Sequence, residues 1–148
     1  MAKIAYILLC HKDPDAIIRQ AELLTAAGDC MAIHFDANAS SQAYDKIRTT
    51  LADNANITFS KKRVKCGWGE WSLVQATLHA IEAALNSFPR ATHFYMLSGD
   101  CMAIKTAEYT HAFLDEHDAD FIECFDYFQS DWIKTCLLYT SPSPRDRG

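Results

Sequence analysis

Three apolar runs in this chain end on side chains able to hold a proton, accept a hydrogen bond or attack an electrophile. "KIAYILLC" runs into Cys10 and His11, "CMAIHFD" ends on Asp36, and "THFYMLSGD" ends on Ser98-Gly99-Asp100. A short continuous apolar run is the pattern of a strand buried on both faces. In an open α/β sheet, ligands sit beyond the carboxyl ends of such strands. The three endings are therefore expected to gather on one edge. There, Asp36 either accepts a hydrogen bond from a ligand or caps the turn that follows it. Gly99 lets the backbone come close to a ligand, or simply makes a turn.

A fourth feature is the stretch "VKCGWGEWSLVQATLHAIEAAL", Val64 to Leu85, which crowds Gly67, Trp68, Gly69 and Trp71 in front of an amphipathic helix. Glycines allow tight wrapping and tryptophans supply flat apolar walls. Beside it, Lys61, Lys62, Arg63 and Lys65 form a basic run that is either a solvated edge or a place for phosphate. Cys10 with His11 or His34 suggests a thiol enzyme, since a cysteine near a helix N-terminus gains thiolate character. Adjacent strand residues point to opposite faces, however, so Cys10 and His11 are poorly placed to pair. His34-x-Asp36 is a weak metal signal, and the six cysteines form no C-x-x-C pair or zinc spacing.

Composition narrows the field. A chain of 148 residues, 49% hydrophobic and 22% charged, is of ordinary globular make-up and of single-domain length. A formal charge of -5 argues against general nucleic-acid binding. The apolar start is too short to span a membrane and lacks a signal-type cleavage site. A cytoplasmic, at most membrane-peripheral, protein is expected.

The elements that must position these groups follow from the pattern. "HKDPDAIIRQAELLTAAGD" carries helix punctuation: Asp13 as N-cap, Pro14 at the first helical position, Gly28 just past the end. "ANASSQAYDKIRTTLADN" gives a Ser-rich loop and a second helix, "NITFS" a short third strand, and "KRVKC" a fourth strand. The helix from Trp71 to about Asn86 places Val74, Leu78, Ile81 and Leu85 on one stripe, which is expected to face the core. "TAEYTHAFLDEH" reads as a helix and "ADFIECFDYF" as a further strand. Strands alternating with helices predict an α/β fold with a parallel-rich sheet.

In order and spacing, the blocks "AYILLCHKDPDAIIRQAELL", "IHFDANAS", "VKCGWGEWSLVQATLHAIEAAL" and "FYMLSGDCMAIKTAEY" resemble the core-2/I-branching β-1,6-N-acetylglucosaminyltransferase family, which also includes the peptide O-xylosyltransferases. The resemblance implies a GT-A type, Rossmann-like nucleotide-sugar fold. It also implies inverting transfer of a sugar, N-acetylglucosamine or alternatively xylose, from a UDP-sugar to an acceptor hydroxyl on a glycan or glycoconjugate. A non-catalytic nucleotide-sugar-binding module is the competing reading. Carried over by position, the resemblance puts the UDP pocket at Leu8, Leu9 and Cys10, at Asp36 and at Trp68. Asp36 would face uracil or ribose, and Trp68 would form a wall beside the nucleotide. Trp71 is expected to anchor its helix in the core. No bound divalent metal is expected.

Two departures from the family pattern stand out. In the "LSGDCMAIKT" block, the family's glycine is followed by a variable residue, then Asp, an aromatic and Pro. Here Asp100 occupies the variable place, and it is retained as a donor-site candidate from one residue earlier; Lys105 matches the block's lysine. The ending "CLLYTSPSPRDRG" breaks the α/β rhythm and looks like translated adapter sequence. Residues 1–135 are therefore expected to be the N-terminal part of a glycosyltransferase domain, truncated at its C-terminus, and 136–148 a non-native tail. Inverting transfer needs a general base and a cationic clamp for the leaving diphosphate. The resemblance places both beyond this chain; Glu123, Asp126 and Asp131 match neither.

Overall fold

Seven residues from Ile4 to Cys10 form β1, and all but Leu9 are buried. A computed structural model describes residues 1–121 and 126. Met1–His117 make one compact unit and Asp118–Gly148 a second; in the second, only Asp118–Phe121 and Asp126 are described, and none lies in a regular element. The strand expected over "ADFIECFDYF" and the tail at 136–148 thus fall largely or wholly outside the described residues, as do Glu123 and Asp131.

The first unit runs β1 (Ile4–Cys10), α1 (Pro14–Thr25), β2 (Cys30–Phe35), α2 (Ser41–Thr50), β3 (Ile57–Phe59), α3 (Trp71–Ser87), β4 (His93–Ser98) and α4 (Ala107–Glu116). The four strands make one sheet in the order β3-β2-β1-β4, and every pairing is parallel. This is the α/β architecture with flanking helices that the alternation predicts. Strand order reverses between β1 and β4, so the topological switch point lies between Cys10 and Ser98.

The expected caps form. Asp13 accepts from the Ala16 N–H at 3.2 Å, Pro14 opens α1, and Gly28 follows its end with φ +91°. Asp13 itself has φ 50°, a left-handed conformation that Asp tolerates better than most residues. Pro14 disfavours the right-handed alternative at the preceding position. Ser40 caps α2 through the Ala43 N–H.

Two cores sandwich the sheet. Ile4, Tyr6 and Leu8 of β1 pack with Met31, Ile33 and Phe35 of β2 under Ile17, Ile18 and Ala21 of α1 and Ile47 of α2. On the other face, Ala5, Ile7 and Ala32 meet Ala80, Ala83 and Ala84 of α3. That second core corrects the expected helix face. The sheet side of α3 is its alanine stripe, whereas Val74, Leu78 and Leu85 are exposed and only Ile81 packs in part. Small side chains let the helix backbone lie close over the strands, a geometry that bulkier residues would prevent. The registered pairs Ala5↔Phe94 and Ile7↔Met96 place Phe94 and Met96 on this same sheet face, where both remain substantially exposed.

The fourth strand expected at "KRVKC" does not form; residues 61–66 are irregular. The N–H groups of Val64 and Cys66 donate to the side chains of His34 and Asp36, and the Val64 carbonyl accepts from the Ala37 N–H, instead of joining a ladder.

Candidate functional site

The carboxyl edge of the sheet collects the polar strand endings. Asp36 follows β2, and its N–H donates to the Cys10 carbonyl at 2.9 Å. The N–H of Gly99 donates to the Leu9 carbonyl at 3.1 Å, so the end of β4 stays zipped to the end of β1. A Cβ on Gly99 would sit 2.7 Å from Ile17 Cδ1 and 3.0 Å from Cys10 Cβ, so glycine is required there by close packing. Across the switch point, the Lys12 ammonium lies 3.4 Å from the Asp100 carboxylate in an exposed pair.

The segment from Arg63 to Gly67 forms a strap over the end of β2, held by three side chains. Val64 N–H donates to Nε2 of buried His34 at 2.9 Å. Asp36 Oδ1 accepts from the N–H of Asn38 at 2.7 Å and from that of Cys66 at 3.3 Å. Arg63 donates from Nε to the Phe35 carbonyl and from Nη2 to the Asp36 carbonyl, at 3.0 and 2.8 Å. Its guanidinium also lies 4.1 Å from the centre of the Tyr44 ring. Arg63 is thereby committed to the fold, while Lys61, Lys62 and Lys65 of the same basic run are exposed. Arg63 and His34 are the residues that sequence reasoning missed as positioners. The readable signal was the His34-x-Asp36 spacing, which puts both side chains on one strand face.

The strap delivers the glycine–tryptophan turn. Glu70 N–H donates to the Gly67 carbonyl at 3.2 Å, and Gly69 has φ +71°, the pattern of a type II turn with glycine at its third position. Gly67 N–H donates to Ser72 Oγ at 2.9 Å, fastening the turn to the first turn of α3. Trp68 stands at the turn tip and is 99% exposed. Trp71 is also exposed, at 65%, which corrects the expectation that it anchors the helix in the core. Trp71 belongs to neither core of the sheet.

The candidate residues therefore divide. Leu8 is fully buried in the core under α1, and the Cys10 side chain is buried as well; Leu9 is partly accessible. Leu9 and Cys10 bring their carbonyls to the edge and there bond to Gly99 and Asp36. Asp36, Trp68 and Asp100 are the candidates whose side chains reach solvent. Asp36 Oδ2 makes no hydrogen bond among the described residues, which leaves it open as an acceptor. Lys105 is exposed and sits 4.8 Å over the Tyr109 ring.

The thiol reading fails on environment. Burial pushes the Cys10 thiol up to about 12, and its nearest polar neighbour is the His34 carbonyl, not an imidazole nitrogen. Burial also lowers the His34 pKa, outweighing the opposing pull of Asp36. The ring is therefore neutral, with Nε2 as an acceptor, and that nitrogen is already spent on Val64. Among the described residues, no group of three or more His, Cys, Asp or Glu side chains is placed to hold a metal ion. No described helix is long and apolar enough to cross a membrane.

No curated protein matches the chain. A model of the Core-2/I-Branching enzyme family matches residues 4–134, nearly the whole described unit and the strap and strand endings within it. With its parallel sheet, flanking helices and polar edge at the switch point, the chain belongs to the Core-2/I-branching enzyme family, glycosyltransferases of the GT-A type that are typically metal-independent.

Proposed function

We propose that this edge binds the UDP portion of a UDP-sugar, and that the protein serves inverting transfer of N-acetylglucosamine to an acceptor hydroxyl of a glycan or glycoconjugate. The observation that carries the reading is Asp36. One carboxylate oxygen is fixed by two backbone N–H groups, the other is open, and the fixed oxygen holds the strap that presents Trp68. A preorganised carboxylate, with an exposed indole on the strap that it holds, is suited to a uracil or ribose donor group together with a flat ring. Leu9 and Cys10 contribute backbone at the edge, and Asp100 lies across the switch point, paired with Lys12.

In the proposed reaction, the acceptor oxygen attacks the anomeric carbon and loses its proton to a base. The bond to UDP breaks, and the diphosphate leaves with the electron pair. Among the described residues no carboxylate is assigned as that base: Asp36 supports the strap and Asp100 pairs with Lys12. Residues 1–135 are read as the donor-binding part of the transferase domain and 136–148 as a tail foreign to it. A cytoplasmic or membrane-peripheral location is proposed with them.

Titration calorimetry with UDP tests the reading, run with magnesium and with chelator. Weak binding of equal strength in both is expected. Absence of binding, or strict dependence on magnesium, would overturn it.

A further inference from the structure

A cavity of about 210 Å³ lies on the α1 face of the sheet and runs from the middle of β1 to the end of β4. Tyr6 and Tyr95 line it from β1 and β4, Gln20 and Leu24 from α1, and the segment Cys101–Lys105 borders it. Tyr6 stands four residues before Cys10, or roughly 13 Å down the strand from the carboxyl edge. The two tyrosine rings meet edge to face with centroids 6.1 Å apart, giving the cavity an aromatic side.

Two polar groups in this lining are without partners. Tyr6 is largely buried as a residue, but its hydroxyl makes no hydrogen bond among the described residues and is left free to meet a ligand or solvent. Gln20 donates from Nε2 to the carbonyls of Ser98 and Cys101, at 3.3 and 2.6 Å, which fixes its amide; Oε1 is buried with no partner. A buried polar atom left unpaired is costly, so Gln20 Oε1 calls for a partner, and the Tyr6 hydroxyl stands in the same lining with its hydrogen-bonding capacity unused. The Tyr6 phenol stays protonated at neutral pH, because burial and the neighbouring Asp29 raise its pKa to about 12, so it is a donor. Gln20 Oε1 is an acceptor and repels an anion. Most of the remaining lining is apolar, with Leu24, Leu97, Met102 and Ile104; of its polar members, Thr110 donates to the Thr106 carbonyl and the Lys105 ammonium lies over the Tyr109 ring.

We infer that this cavity is a second binding site, for one neutral hydroxylated ring, with Tyr6 donating to and Gln20 accepting from its hydroxyl groups while an apolar face of the ring lies on the tyrosines. Drug-sized ligands usually occupy about 300–1,000 Å³, so this space holds a single sugar ring and excludes a nucleotide-sugar. The site does not rest on the nucleotide reading, because its residues are distinct from Asp36 and Trp68.

The test is a titration of the full chain, without UDP, using methyl β-D-glucopyranoside, with ¹H–¹⁵N shifts as the readout; cyclohexanol and benzoate serve as comparison probes. The glucoside should shift the Gln20 side-chain amide and the backbone of Cys101–Lys105, more strongly than either comparison probe. Tyr6→Phe should weaken glucoside binding about 2- to 10-fold, the range expected for one neutral hydrogen bond. The same variant should melt no lower than the wild type, since the hydroxyl it removes makes no hydrogen bond within the protein, and should bind UDP unchanged. No shifts at millimolar glucoside, preference for benzoate, or equal affinity in Tyr6→Phe would each overturn the inference.

Discussion

Val64 donates its backbone N–H to Nε2 of His34 across 30 residues of sequence, at 2.9 Å, and so ties the strap to the buried face of β2. The bond exists only while His34 is neutral. Burial already holds its pKa below the ordinary value, with Arg63 and His79 pushing the same way and Asp36 opposing. The unfolded chain takes up a proton near pH 6.5, before the folded one does. Stability is therefore full above that pH and falls as pH drops through it toward the lower folded pKa.

The first prediction is a pH-dependent loss of stability that His34 causes. Between pH 7.5 and pH 5.5, the melting temperature of the wild type should fall more than that of His34→Gln, in which a non-titrating acceptor faces Val64. Thermal melts of both proteins across that range are the check. Parallel curves would show that His34 does not control the effect.

Asp36 separates binding from support. Asp36→Asn keeps an oxygen for the Asn38 and Cys66 N–H groups and should leave the melting temperature nearly unchanged. The charged open acceptor is lost, so UDP affinity should drop by about 10- to 150-fold, the equivalent of roughly 1.5–3 kcal/mol. Asp36→Ala removes both functions and should also cost about 1–3 kcal/mol of stability, because two N–H groups lose their partner. Calorimetry and denaturant unfolding of the two variants settle the division.

Much of this arrangement was legible because its signals are local. The Asp13-Pro14 start and the Gly28 stop mark α1 through backbone rules that hold wherever the helix packs. The apolar runs at Ile4–Cys10 and Cys30–Phe35 are buried strands for the same reason that they are continuous. What was not legible depended on partners. The stripe of Val74, Leu78 and Leu85 has the larger side chains, but closeness of approach selected Ala76, Ala80, Ala83 and Ala84 for the sheet. Residues 62–66 alternate like a strand, yet His34 and Asp36 outcompete a ladder for their amides. At the site, the strand endings were readable as a set, whereas the role of Arg63 in tying down the strap required knowing that Tyr44 lies beneath it.

Gly99 is predicted to be intolerant of even one methyl group. Its Cβ would strike Ile17 Cδ1 at 2.7 Å and press on Cys10 Cβ at 3.0 Å. Gly99→Ala should therefore destabilise by about 1–3 kcal/mol, in the range of core overpacking. Ile17→Val removes the nearer atom at a cost of its own of about 0.5–1.5 kcal/mol. Combined, the two substitutions should cost less than the sum of their separate effects, because they share one contact. Denaturant unfolding of the single and double variants completes the cycle. Additive costs would mean that the end of β4 shifts away freely and that the close packing is not what selects glycine.

Trp68 and Trp71 provide the last prediction. Both indoles are exposed, so the usual loss on truncating a buried aromatic should be seen at neither position. Trp68→Ala should change stability by no more than about 0.5 kcal/mol, as for other surface substitutions. Trp71→Ala should also fall well short of the roughly 3–5 kcal/mol of a core tryptophan. Binding should separate them. Trp68 projects from a turn whose shape is fixed by Gly69 and by the Gly67–Ser72 hydrogen bond, and the same strap is held by Asp36. The fixed turn places the exposed indole where it can close on a flat ring, so removing it should weaken UDP binding. UDP should quench the fluorescence of the wild type and of Trp71→Phe, and should leave Trp68→Phe nearly unaffected. Quenching that persists in Trp68→Phe and vanishes in Trp71→Phe would transfer the role to the helix start. The exposed tip would then have no part in holding the nucleotide, and Gly69 would be accounted for by the positive φ of its turn alone.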